Sequence, residues 1–390
     1  MSIYLDYAAT TPLSNIVKKS ILENMESYGN PSSMHSLGIA SEKKIKQARK
    51  AISEEVNAKD SEIIFTSGGT EANNLAIFGL LANKQKGRVI TTKIEHPSVL
   101  NAFEQLKKKG LDVVFLDVNS DGVISVDEFH EALNMETLFV SIMYVNNETG
   151  VIQPIQEIGS IISQYNKSHN TSVYFHVDAV QAFGKIKIDM NKLNVDAISI
   201  SAHKIYALKG VGALVCKYTS TLKPMLYGGQ QEFTFRPGTE NLMGIIVFGE
   251  ATRAFKGQFQ ANSEFALSLK NRMIEKFKST EGIIINGKGE SPYILNVSFL
   301  GVKGEVMLHS LEMKGIYVAT GSACSSKKKN YSHVLYAMGC SEERLESAIR
   351  ISFGENCTVD AVDEASEVMI QLANELRSIM NNSKKGNKKK

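Results

Sequence analysis

The sequence contains no apolar run that approaches membrane length, and it opens on IYLDYAATTP without the basic and apolar segments of a secretory leader. A cytoplasmic protein with no membrane partner is the expectation. Charge of one sign is also lacking: 44 basic residues against 41 acidic ones leave a net charge of +3, too weak a bias to imply direct contact with nucleic acid. Cysteine is scarce, at four residues. Cys216, Cys324, Cys340 and Cys357 never form a C-x-x-C pair, so neither a metal site nor a disulfide framework is indicated. No internal repeat is visible.

What is present is an ordinary globular composition, 43% hydrophobic and 22% charged over 390 residues, enough for two domains or one large α/β domain with a smaller appendage. Between 61 and 216 short apolar runs alternate with helix-like stretches: EIIFT, RVITTKI, LDVVFLDV, TLFVSIMYV, VYFHVD, AISIS and VGALVC. This pattern predicts parallel crossover units, a mostly parallel sheet with helices on both faces, and ligands at the carboxyl ends of its strands. The large domain is expected over 16–250 and a smaller α+β domain over 1–15 and 251–380. The tail 381–390, a run of charge, reads as disordered.

The strand ends carry the residues of interest. After EIIFT, the turn Gly68-Gly69-Thr70 opens a helix and presents backbone N–H groups and a hydroxyl to an anion, although an ordinary helix cap has the same appearance. It has neither the Walker lysine nor the full G-x-G-x-x-G spacing. Later strand ends deliver His96, the turn residues Asn146 and Asn147, and Asp178 with Gln181 three residues on. AISIS leads into Ser201, His203 and Lys204. Singly, these are surface histidine, turn asparagines and solvated lysine; a buried Asp178 needs a cation or several donors. Together they suit pyridoxal phosphate, whose phosphate needs a helix N-terminus, its ring nitrogen an aspartate and its aldehyde a lysine amine. Among the cysteines, Cys216 reads as a buried small hydrophobe and Cys340 and Cys357 carry no signal. Cys324 sits in TGSACSSKKKN, a small polar loop where packing does not ask for a thiol.

LDYAATTP, YGNPSSMHSLG, FTSGGTEANNLAI, EHPSVL, VNNETGVIQP, HVDAVQAFGK, SAHKIYALKGVGAL, RPGTEN and TGSACSS resemble the NifS-like cysteine desulfurases, in the class V branch of fold-type I pyridoxal phosphate enzymes. The resemblance runs from about residue 3 to residue 370. It implies that Lys204 carries the cofactor, that Asp178 holds its ring nitrogen, and that His96 stacks over the ring and shuttles protons. Asn147 meets the substrate side, Gln181 the ring hydroxyl, and Gly69, Thr70, Ser201 and His203 the phosphate. Thr239 of RPGTEN reaches the phosphate from a second subunit, hence a homodimer. Arg350 binds the carboxylate of L-cysteine; its ordinary reading is a salt bridge at the core edge.

In the family's chemistry a proton leaves the α-carbon of bound cysteine, the Cys324 thiolate attacks the substrate sulfur, alanine departs and a persulfide remains. The nucleophile then travels to an acceptor, which a loop of small residues permits. Seven residues, Ser325 to Tyr331, follow Cys324 before SHVL, the long loop of the group I enzymes. Some positions depart from the family: Ala207 and Leu208 replace a common Gly-Pro, Gln230 and Thr234 replace usual glycines, and Lys327, Lys328 and Lys329 replace small neutral residues. The C-terminus lacks the segment with which housekeeping relatives dock an iron–sulfur scaffold, so a tRNA-thiolating enzyme is the favoured sulfur acceptor. A class V aminotransferase or selenocysteine lyase would share Lys204 and Asp178 without needing Cys324 to turn over cysteine, and a non-catalytic sulfur-transfer partner would need none of them.

Overall fold

The computed structural model describes residues 2–321 and 331–387. Cys324, Lys327, Lys328 and Lys329 lie outside the described residues. Strand β1 (Ile3–Tyr4) stands apart from the main sheet. The seven apolar runs between 61 and 216 form β2 (Ile63–Thr66), β3 (Arg88–Thr92), β4 (Asp112–Leu116), β5 (Thr137–Met143), β6 (Tyr174–Asp178), β7 (Ala197–Ser201) and β8 (Gly212–Cys216). They make one sheet in the order β2-β8-β7-β6-β5-β3-β4.

Successive side chains of a strand point to opposite faces, and here both faces are covered. Ile63, Phe65, Val140, Ile198 and Val215 face a core closed by Ile52, Ile158 and Phe248 from the helices Ser36–Val56, Ile155–His169 and Leu242–Phe255. Ile64, Phe139 and Leu214 face the other, where the helices Gly69–Leu80 and Pro97–Lys108 supply Leu75, Ala76, Val99 and Phe103. This explains why the strands read as continuous apolar runs rather than alternating ones.

The expected crossover fails at one place. β8 runs antiparallel to both β7 and β2, while the remaining pairs are parallel. The connection 202–211 is too short for a crossover helix, so the chain turns straight back. Two reversals restore direction: β2 runs parallel to β7. The carboxyl ends of β2, β3, β5, β6 and β7 therefore open on one edge of the sheet.

Strands β9 (Ile283–Ile285), β10 (Ile294–Phe299), β11 (Ile316–Tyr317) and β12 (Ala348–Ser352) follow. β12, β10 and β9 form an antiparallel sheet, and β11 pairs in parallel with β1. Bridges from Asp6 to Ser352 and from Ala319 to Arg350 bind these pieces together, bringing the N-terminal segment beside Arg350. The last helix, Val359–Asn387, takes in 381–387 of the tail that the sequence reading leaves disordered.

Of the two positions that depart from family glycines, Gln230 has an ordinary φ of −94°, while Thr234 keeps a glycine conformation within a left-handed stretch. Glu232, Phe233 and Thr234 have φ of 46°, 56° and 74°. Buried Glu232 holds them there: its carboxylate accepts from Arg49 Nη2 at 2.6 Å, Arg49 Nη1 at 3.0 Å and Phe65 N at 2.8 Å. The Arg49 guanidinium also lies 4.9 Å from the Phe233 ring centre. For β-branched Thr234 this region costs on the order of 1–2 kcal/mol. Thr234→Gly is expected to stabilise the fold by about 1 kcal/mol in urea unfolding, since the glycine's greater unfolded-state entropy offsets part of the relief.

Candidate active site

At the carboxyl edge of the sheet lies a cavity of about 330 Å³. Gly69 and Thr70 after β2, His96 after β3, Asn147 after β5, Asp178 and Gln181 at β6, and Ser201, His203 and Lys204 at β7 all line it, with Arg350 entering from β12. Thr239 is exposed on a loop outside this cavity. Cys216, Cys340 and Cys357 are buried away from it, and burial pushes the Cys216 thiol up to about 12. Among the described residues no cluster of metal-ligating side chains occurs.

The glycine turn is built by close approach. Gly68 has φ 154° and ψ −177°, a region open essentially to glycine alone. A Cβ on Gly69 would stand 2.7 Å from Val180 Cγ2. The N-terminus of the helix Gly69–Leu80 thus meets Ser201 with nothing between them but backbone, leaving its first N–H groups to face the cavity.

Lys204 Nζ donates to the carbonyls of Ala8 and Ala9 at 2.6 and 2.7 Å. Burial, then the Arg350 charge, lowers its pKa to about 8, against the opposing pull of Asp6 and Asp178. An amine so placed is readily deprotonated and becomes nucleophilic near neutral pH. His203, lowered to about 4 by burial and by Lys204, is neutral, and so adds no competing charge. Gln181 Nε2 donates to the same Ala8 carbonyl at 2.9 Å, while its Oε1 accepts from Lys185 Nζ at 3.0 Å.

Buried Asp178 finds its donors in an amide and the backbone. Asn73 Nδ2 reaches Oδ2 at 2.8 Å and Val180 N reaches Oδ1 at 3.0 Å. Asn73 Nδ2 also donates to Ser98 Oγ at 2.8 Å, and Ser98 Oγ lies 2.8 Å from His96 Nδ1. Because Ser98 N donates to Nδ1 at 3.2 Å, the neutral His96 ring carries its proton on Nε2. Burial lowers the His96 pKa and Asp178 partly restores it, with Lys204 and His333 lowering it further. Asn73 escapes a reading of strand ends because it sits one helical turn inside the helix Gly69–Leu80, and Ser98 because it lies in the first turn of the helix Pro97–Lys108, behind His96. The signal was a polar residue on the otherwise apolar buried face Ala72, Leu75 and Ala76.

Arg350 Nη2 pairs with Asp6 Oδ1 at 2.8 Å and Nη1 donates to the Asn147 carbonyl at 3.1 Å. The salt bridge of its ordinary reading therefore exists. Its Nε is buried with no partner, a donor of the kind a carboxylate accepts.

Residues 3–364 match the family described as aminotransferase class-V. The chain is 40% identical to the cysteine desulfurase IscS of Methanosarcina thermophila, over 97% of this chain and 93% of that protein. The chain belongs to the cysteine desulfurase family. Among solved structures, a NifS-like protein superposes with a TM-score of 0.89 at 33% identity, covering 96% of this chain and all of that one. SspA in complex with cysteine superposes at 0.79 with 35% identity, over 90% of this chain and 99% of that one. The family is pyridoxal phosphate-dependent, and the cavity suits that group: a depressed lysine amine, a carboxylate held by neutral donors, a helix start and Arg350 line one space. No helix among the described residues is long and apolar enough to cross a membrane.

Proposed function

We propose that this chain is a pyridoxal phosphate-dependent cysteine desulfurase that converts L-cysteine to L-alanine and keeps the sulfur as a persulfide on Cys324 for a protein acceptor. The observation that carries this reading is the Lys204 amine in one cavity with Asp178, His96 and the Arg350 guanidinium. Lys204 would hold pyridoxal phosphate, and Gly69, Thr70, Ser201 and His203 its phosphate, and the bound cofactor would supply an electron sink for the substrate α-carbon. Asp178, fixed by Asn73 and Val180, would hold a proton at the ring nitrogen, and Gln181 would serve the ring hydroxyl. Lys204 Nζ and His96 Nε2 hold and move protons, and Asn147 lies on the substrate side. Cys324 provides the thiolate that takes the sulfur. In a homodimer, Thr239 on its exposed loop completes the phosphate site of the other subunit. The acceptor is a protein of tRNA thiolation or iron–sulfur assembly.

Alanine and sulfide assays on the purified protein test the reading: with cysteine and a thiol reductant, both products are expected in equal amounts, and a protein that binds the cofactor yet yields neither refutes it. Arg350→Ala is expected to raise KM for cysteine roughly 10- to 150-fold, the equivalent of about 1.5–3 kcal/mol for a charged hydrogen bond. Cofactor absorbance should persist, and steady-state kinetics separates the two.

A further inference from the structure

Glu148 is buried in the turn beyond β5, and the active-site reading above leaves it without a task. Its backbone is fixed: Glu148 N donates to Asn146 Oδ1 at 2.9 Å, and Asn296 Nδ2 donates to the Glu148 carbonyl at 3.1 Å. Its carboxylate meets two residues that are distant from it in sequence. Ser332 Oγ donates to Oε2, and a Cβ on Gly321 would collide with that same oxygen. Gly321 and Ser332 stand on either side of the segment that includes Cys324.

We infer that Glu148 is a positioning residue for sulfur transfer, its carboxylate fixing both flanks of the cysteine-bearing segment beside the active site. The inference rests on the reading of Cys324 as sulfur acceptor. Proximity along the chain makes the first flank decisive. Cys324 is three residues beyond Gly321 in the sequence, so Gly321, against Glu148 Oε2, is the last described residue before the cysteine-bearing segment. The second flank is held in two further ways. Ser332 Oγ accepts from Leu335 N at 3.1 Å, and His333 Nε2 donates to the Glu95 carbonyl, next to His96, at 2.9 Å. The neighbouring residue Asn147 receives Arg350 Nη1, so the clasp and the carboxylate-binding group share one turn.

The test compares wild type, Glu148→Ala, Glu148→Gln, Ser332→Ala and Gly321→Ala as cofactor-loaded proteins. Three quantities are read: sulfur appearing on Cys324 after rapid mixing with L-cysteine, the cofactor's spectral response to cysteine, and amide hydrogen exchange at 316–321 and 332–336. Glu148→Ala should slow sulfur arrival roughly 10- to 100-fold, as expected for a displaced reacting group, with faster exchange at both flanks and an unchanged spectral response. Gly321→Ala should share this signature, because the added methyl forces the carboxylate away. Glu148→Gln, which still offers Ser332 an acceptor, should recover most of the flank protection. Unchanged flank exchange in Glu148→Ala, or a spectral response that falls in step with sulfur transfer, overturns the inference. If Glu148→Ala does not fold, Ser332→Ala and Gly321→Ala decide. If wild type places no sulfur on Cys324 the functional reading fails, while flank exchange still decides whether Glu148 is the clasp.

Discussion

Lys204→Ala is expected to abolish turnover and to remove the yellow absorbance of the lysine-bound cofactor, which borohydride otherwise bleaches while fixing the cofactor to the chain. Lys204 combines a depressed pKa, from burial and the Arg350 charge, with a place at the mouth of β7 beside Ser201 and His203. Lys185 is the nearest candidate for a substitute, lowered to about 7 by burial and by Lys204 and Arg350. Its Nζ is engaged by Gln181 Oε1, and it lies behind that amide, outside the residues that line the cavity. A variant that keeps reducible absorbance on the peptide containing residue 204 contradicts the assignment. Loss of the colour in a protein that remains folded agrees with it. Absorbance before and after borohydride, followed by peptide mapping, is the measurement.

Cys324→Ser should have the second largest effect: no persulfide and no sustained alanine formation, with cofactor loading and the spectral response to cysteine intact. The remaining thiols are poor substitutes. Cys216 is pushed up to about 12 by burial, and burial also raises Cys340 and Cys357, so none of the three is a ready thiolate. Undiminished alanine release from the serine variant would overturn the role of Cys324. Neutralising Lys327, Lys328 and Lys329 should act more mildly and in a salt-dependent way, through the thiolate or the approach of an acceptor.

Much of this was legible because strands buried on both faces announce themselves as short, mostly apolar runs. Seven such runs became the seven strands of the main sheet, and residues at their carboxyl ends fell into one cavity. Less legible was anything set by tertiary contact. The antiparallel β8 follows from the length of 202–211, a feature that periodicity does not register. The side-chain partner of Asp178 comes from a helix face, and those of Lys204 are backbone carbonyls of Ala8 and Ala9, nearly two hundred residues away, which no side-chain motif encodes. The left-handed stretch Glu232 to Thr234 depends on Arg49, a residue unremarkable in its own segment. The helix through 381–387 shows that a charged tail can extend a helix begun by Val359 and the apolar face that follows it.

The most direct test of the central claim is a single turnover of the wild-type, cofactor-loaded protein with limiting L-cysteine and no reductant. Alanine is quantified and the chain is digested for mass spectrometry. One alanine released for each sulfur atom gained, with that sulfur on the peptide containing Cys324, is the predicted result. Alanine without sulfur on the chain, or sulfur on the peptides of Cys216, Cys340 or Cys357 instead, would contradict it.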